Sequence, residues 1–289
     1  MAASPFAMYR ASEWCTYHGR EDMIRLCFAI VWLASCGIVF PTHAAQPVVI
    51  LCDDSYPPYS YADSGEVKGI YVEIVREIAS RMPGYAVSIQ PVPWKRGLLQ
   101  VMNGEAFGII PPYYRPHERP YISYSDPILK ERLSLVVHER SMTRPREHWP
   151  DDYDGFAIGT NAGFSTPLCS KATKAITEGR IRWDNSGTTE QNLLKLNRDR
   201  LQGYVNDPAS IFVEWERLAR RGDVTGKLVE TAVLSEEYGH LGITDNDKGR
   251  FAFKYDFITQ FNRVLATMQR AGTVEAIRNG VMKSYSRHE

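Results

Sequence analysis

The sequence predicts an α/β protein built as two hinge-linked lobes with a cleft between them, and three observations predict it. Short apolar runs alternate with amphipathic helical segments twice along the chain, over residues 48–110 and again over residues 156–233. A polar, proline-bearing stretch, HERSMTRPREHWPDDYDG, separates the two stretches. From residue 254 the pattern is helical only, and those helices pack most naturally on the first lobe if the chain crosses back near residues 235–242.

In the first lobe, residues 48–52 (VVILC) read as a buried strand that ends in Asp53-Asp54 and a Pro-rich loop, SYPPYSY. Ligand crevices in open α/β sheets lie outside such strand ends. Ile70, Ile74, Val75, Ile78 and Met82 share one helical face, and Pro83-Gly84 stops the helix. A strand over 85–92, a helix over 94–102 closed by Asn103-Gly104, and a strand over 107–110 follow. The order strand–helix–strand–helix–strand predicts a mostly parallel sheet.

Residues 133–137 form another strand before the connection. The second lobe then reads as a strand over 156–160, a glycine turn over 161–165 and a helix over 166–178. Strands over 180–183, 201–205 and 227–233 alternate with helices over 188–198 and 208–220, the latter with Asp207 as its cap. Phe257, Phe261, Val264, Leu265 and Met268 mark a helix over 254–270, and Gly272-Thr273 opens a last one. The predicted lobes are residues 46–132 with 237–289, and residues 133–236.

Residues 26–40 (LCFAIVWLASCGIVF) are uncharged and follow Arg20 and Arg25. That run is short for a membrane span and suits a secretory signal over residues 1–45, cleaved near Ala44 or Ala45, with Met23 the expected true start. Leu33-Ala34-Ser35-Cys36 resembles the lipobox of bacterial lipoproteins, but apolar GIVF follows it where a polar tether is usual. Anchoring through Cys36, or an uncleaved N-terminal anchor, stays as an alternative. Lys+Arg and Asp+Glu balance at 34 each, which excludes a basic nucleic-acid footprint. Of the five cysteines only Cys52 and Cys169 lie beyond the signal, one in each lobe, and both are expected to be free and buried.

The seven histidines show no metal spacing; His117, His138, His148 and His240 stand singly and read as solvated surface. There is no phosphate-loop motif, no GxGxxG after a strand and no GxSxG around Ser165. The residues point to binding more than to catalysis, with no cofactor or metal expected. Arg119 suits a carboxylate, which a guanidinium holds through two charge-assisted hydrogen bonds, or else it pairs with Glu118. Trp94, Tyr56, Tyr59 and Tyr61 are either cleft walls or core. Asp53 and Asp207 follow strands and would meet an ammonium, although Asp207 also reads as a plain helix cap. The turn Gly159-Thr-Asn-Ala-Gly163 is either an anion site or an ordinary strand-to-helix turn.

Taken together these residues resemble the family 3 solute-binding proteins, the periplasmic receptors of polar amino acid ABC transporters. The likeness runs from about residue 48 to 285. It rests on Tyr56-Pro57-Pro58-Tyr59, the glycine-and-helix stretch over 69–78, and Arg119 followed by Tyr124-Ser125-Asp126-Pro127. Ala162-Gly163, the strand over 203–207 and Gly272-Thr273 with Ile277 complete it. The resemblance implies a type II periplasmic-binding-protein fold: a monomer in the periplasm that closes on a small solute for an ABC transporter permease. It implies that Arg119 holds an α-carboxylate, Asp207 takes an α-ammonium and Trp94 stacks on the solute. Asp53, Tyr56 and Tyr114 would line the pocket, and Gly163, Phe164 and Ser165 would close it from the second lobe.

The chain departs from the family at Pro111, Pro112, Tyr113 and Tyr114, where small hydroxyl residues are usual, at Phe107 in place of an aspartate, and at Phe164. Those changes favour an aromatic, cyclic or non-amino-acid carboxylate. The alternatives are a dehydratase-like enzyme acting on a cyclic carboxylate and a sensory binding module.

Overall fold

The computed structural model describes residues 44–287. The predicted signal, its start at Met23 and the Cys36 lipobox lie outside the described residues. No helix among the described residues is long and apolar enough to cross a membrane.

The first sheet has the order β5-β1-β6-β13-β7, with β1 Gln46–Asp53, β5 Tyr85–Val92, β6 Gly108–Ile110, β7 Ile122–Tyr124 and β13 Gly242–Thr244. β5, β1 and β6 are parallel, as the strand–helix alternation predicts, whereas β13 runs antiparallel to both β6 and β7. The pleat of β1 divides its side chains between two cores. Val48, Ile50 and Cys52 pack with α1 (Ile70–Ser80), α6 (Lys254–Arg270) and α7 (Thr273–Arg287). Leu51 packs on the other face with Trp94, Leu98 and Val101 of α2 (Trp94–Met102). The C-terminal helices thus share a core with β1 and α1.

The second sheet has the order β10-β9-β11-β8-β12, with β8 Leu129–His138, β9 Ala157–Asn161, β10 Arg182–Gly187, β11 Gly203–Asn206 and β12 Leu228–Gly239. Leu133, Leu135 and Val137 of β8 face a core with Ile158 and Val205, while Val136 faces the helices α4 (Thr189–Asn197) and α5 (Pro208–Arg220). α3 spans Ser170–Thr177 and starts later than its pattern predicts, because Pro167 lies in the extended run before it.

β8 and β12 are longer than their apolar runs suggest and pair antiparallel along their whole length. β11 pairs with β8 only from Ser134 to Val137, so the first part of β8 projects beyond β11. These two strands carry the chain between the sheets. Sequence patterning also missed β7 and a three-stranded ribbon, β2 Ser55–Tyr56, β3 Ser60–Asp63 and β4 Glu66–Lys68, within the Pro-rich loop. Cys52 is buried and Cys169 exposed, which corrects the expectation that both are buried. Burial and the carboxylates of Asp53 and Asp54 push the Cys52 thiol up to about 12.

Gly104 closes α2 at φ +71°, where a side chain's Cβ would lie 2.3 Å from the Asn246 carbonyl oxygen. Gly104→Ala is expected to destabilise the fold by about 1–3 kcal/mol, measured as a lower urea midpoint at unchanged slope.

Candidate functional site

Asp53, Tyr56, Trp94, Pro111, Tyr113 and Arg119 of the first lobe and Phe164 and Ser165 of the second line one cavity of about 20 Å³, room for a water or two. They arrive on five segments. Asp53 ends β1, Tyr56 lies in the ribbon, and Trp94 opens α2. Pro111 follows β6, Arg119 precedes β7, and Phe164 follows the turn after β9.

The second lobe enters through its glycine turn. Gly163 adopts φ +82°, and its carbonyl accepts from Trp94 Nε1 at 3.3 Å and from Arg119 Nη2 at 3.4 Å. The next residue, Phe164, sets its ring edge-on to Tyr56 and Trp94, with centroids 5.3 and 6.0 Å away. Ser165 donates its hydroxyl to Glu118, the residue beside the arginine.

Arg119 is 6 % exposed, and no carboxylate pairs with it among the described residues. Glu118, its expected alternative partner, is exposed and accepts from Ser165 instead. The guanidinium lies 5.9 Å from the Trp94 ring centroid, a contact that offsets only part of the cost of burying a charge. Loss of water pulls its pKa down.

Asp53 is equally short of a counter-ion. Its Oδ1 accepts from the Ser55 amide at 3.0 Å and hydroxyl at 3.3 Å, and burial pushes the carboxyl up to about 7 despite those donors. The cavity thus joins an unpaired guanidinium, a carboxyl that titrates near neutrality and four aromatic rings. A guanidinium is chemically suited to an anionic group and aromatic rings to a flat or apolar one.

Three predicted residues do not line this cavity: Gly163, which acts on it only through the carbonyl that Trp94 and Arg119 reach, Tyr114 and Asp207. Tyr114 is 58 % exposed and packs on Tyr124 and His240, because neighbours on an extended chain face opposite ways and Tyr113 takes the inward position. Asp207 is buried at the start of α5. Its Oδ1 accepts from Ala209 N and the Tyr59 hydroxyl, and its Oδ2 from Arg132 N, so both oxygens are engaged by protein donors. His138 and His240 are buried, contrary to the surface expectation; each ring bonds a backbone carbonyl, of Thr225 and Ser125. Among the described residues no group of three or more His, Cys, Asp or Glu could hold a metal ion.

Sequence reasoning missed Glu131, which holds Tyr56 and Tyr113 through their hydroxyls. The signal was present: Leu129, Glu131, Leu133 and Leu135 alternate on the buried face of β8, which puts a charge at a core position. A larger space of about 620 Å³ lies between the ribbon and helices α4, α5 and α7. Lys68 pairs there with Asp63 and Arg217 with Glu214, while Arg220 is exposed and Asp54 only half-buried, so among the described residues its lining has no buried charge without a partner.

The raised carboxyl of Asp53 has a consequence for stability. The folded chain binds this proton more tightly than the unfolded chain, so the contribution is present below pH 3.8 and is lost as pH rises through about 7. Urea midpoints followed from acid to neutral pH should therefore fall less steeply in Asp53→Asn than in the parent chain.

The fold is shared with proteins of known structure. An arginine-binding protein of T. maritima (the P235GK mutant) superposes with a TM-score of 0.63 at 20 % identity, over 82 % of this chain and 96 % of that one. An ABC uptake transporter substrate-binding protein from Streptococcus pneumoniae with bound histidine gives 0.65 at 19 %, over 80 % and 90 %. A histidine kinase sensor domain with similarity to periplasmic binding proteins gives 0.63 at 18 %, over 82 % and 96 %. No curated protein matches the chain in sequence. The model of the bacterial extracellular solute-binding proteins, family 3, matches residues 48–283, and the chain belongs to that family.

Proposed function

We propose that the chain is an extracytoplasmic receptor, periplasmic after export, that closes its two lobes on a small carboxylate-bearing solute and delivers it to an ABC transporter permease. The observation that carries this reading is the buried Arg119 guanidinium, for which the protein supplies a single carbonyl at 3.4 Å. A charge left buried without a partner costs several kcal/mol, and a solute carboxylate removes that cost through two parallel hydrogen bonds.

Tyr56, Trp94 and Phe164 surround the body of the solute, and Asp53 and Ser165 face its polar substituents. The aromatic lining favours a flat or cyclic carboxylate over a small polar amino acid. Gly163 acts through its backbone carbonyl. Asp207 reaches a solute ammonium only if Tyr59 gives up its oxygen, and Tyr114 contributes from outside the cavity. A cavity of about 20 Å³ admits no organic solute in the closed arrangement, so entry requires the lobes to part. We take residues 46–132 with 237–289 as one lobe and 133–236 as the other, hinged where β8 and β12 project beyond β11.

The likeness to a kinase sensor domain favours a second reading, in which closure is reported to a signalling partner. Loss of solute uptake in a strain lacking the chain supports transport; unchanged uptake with altered gene expression supports sensing.

A thermal-shift and calorimetric screen of amino acids and organic acids tests the site. Arg119→Ala is expected to weaken each hit by about 1.5–3 kcal/mol, some tenfold to 150-fold, and the bound solute should be recovered unchanged. Hits that bind the variant undiminished would remove the carboxylate role.

A further inference from the structure

Glu131 lies on the inward face of β8, 2 % exposed, in a setting made almost wholly of hydroxyls and other carboxylates. Three tyrosines from three separate segments of the first lobe donate to it. Tyr56 of β2 reaches Oε2 at 2.6 Å and Tyr113 the same oxygen at 2.8 Å, while Tyr71 of α1 takes Oε1. The two hydroxyls that share Oε2 lie 3.5 Å apart, and they belong to the two tyrosines that wall the Arg119 cavity.

The remaining groups around this cage do not neutralise it. Asp207, from the second lobe, adds a second carboxylate and is bonded to Tyr59 at 2.9 Å. Glu237 stands opposite Glu131 in the β8–β12 register and is paired with Arg115 at 2.9 Å. The cage is also braced against β12, because a Cβ on Gly239 would lie 2.0 Å from the Tyr71 hydroxyl oxygen.

An ionised carboxylate only accepts, so both hydroxyls at Oε2 must spend their protons on it. A carboxyl protonated at Oε2 donates to one of them, and that tyrosine's own proton is released for another acceptor. We propose that Glu131 is a positioning residue of the binding site: charged, it ties up the hydroxyl protons of Tyr56 and Tyr113, and protonated, it returns one of them to the cavity wall. The inference rests on the carboxylate reading of Arg119.

Burial and the neighbouring Asp207 push Glu131 up to about 7, although the three hydroxyls hold it down. The exchange therefore falls at neutral pH. Two effects act in the same direction. Protonation removes a negative charge near the solute carboxylate, and it frees a hydroxyl proton on a tyrosine that shares the cavity lining with Arg119, so carboxylates bind better below pH 7 than above it.

Acetate, the minimal carboxylate, is the probe, titrated by NMR into the chain from Ala45 onward over about pH 5.5 to 8.5. Affinity should fall by about tenfold per pH unit above neutrality for each carboxyl that must take up a proton. Glu131→Gln, permanently neutral with one acceptor and one donor group, should keep the low-pH affinity and lose its share of the slope. Any slope that remains should vanish when Asp53→Asn is added. Tyr113→Phe keeps the ring and removes one donor from Oε2; it should move the break to higher pH, and it serves as an independent arm if Glu131→Gln does not fold. A slope unchanged in Glu131→Gln, or a break unmoved in Tyr113→Phe, overturns the inference while leaving Arg119 in place. Absent acetate binding, or binding unaffected by Arg119→Ala, overturns the carboxylate reading itself and the inference with it.

Discussion

The cleft is organised by a guanidinium that the fold buries without supplying an anion. Arg119 could have been satisfied by its neighbour Glu118, but that carboxylate accepts from Ser165 across the cleft. What faces the guanidinium is the Gly163 carbonyl and the Trp94 ring, both neutral. A partial dipole and a ring quadrupole soften the desolvation of a full charge without cancelling it. The wall is therefore held in a state that an anion improves, and the elements that build it make sense in that light. The glycine turn brings a carbonyl close because a positive φ at Gly163 lets the backbone, not a side chain, approach Trp94 and Lys95.

A second uncompensated charge lies behind the aromatic wall. Glu131 gathers three hydroxyls, and Asp207 gathers a hydroxyl and two amides, with no cation between them. The Tyr56 ring belongs to both environments, stacked on Tyr59 at 4.9 Å on one side and met edge-on by Phe164 on the other. Glu131 is therefore joined to the cavity by the hydroxyls of two wall residues, Tyr56 and Tyr113. Titration of a group outside the cavity and occupancy of the cavity are coupled by contact.

Much of this was legible in the sequence, and the limits have physical causes. The first-lobe order was readable because residues 48–52 form an unbroken apolar run and the α1 face repeats at helical spacing. The ribbon at 55–68 was not, since two- to four-residue strands hold too few side chains to show a period. Asp53, Tyr56, Trp94, Arg119, Phe164 and Ser165, expected together from the family resemblance, line one cavity. Tyr113 and Tyr114 could not be told apart without the pleat, and Asp207's capping role was stated beforehand but not its Tyr59 and Arg132 partners. Glu131 belongs to no strand end or motif; it sits within the buried face of β8, and only the fold brings Tyr56 and Tyr113 to it.

The contacts that hold the lobes together are suited to a reversible closure. Trp94 and Arg119 reach Gly163 at 3.3 and 3.4 Å, near the long limit for a hydrogen bond, and Ser165 meets a carboxylate at the exposed rim. The Tyr59–Asp207 bond, by contrast, is short, at 2.9 Å, and buried. The neutral bond from Trp94 contributes about 0.5–1.5 kcal/mol and each bond with a charged partner about 1.5–3 kcal/mol, and closure must also remove Arg119 from water. Those terms are of similar size and opposite sign, so closing the protein on itself gains little. A carboxylate changes only one of them, turning the arginine's desolvation from a cost into a charge-assisted pair that open lobes cannot complete. Because that gain exists in the closed form alone, it moves the equilibrium between open and closed lobes, which is the condition for a solute to drive the motion.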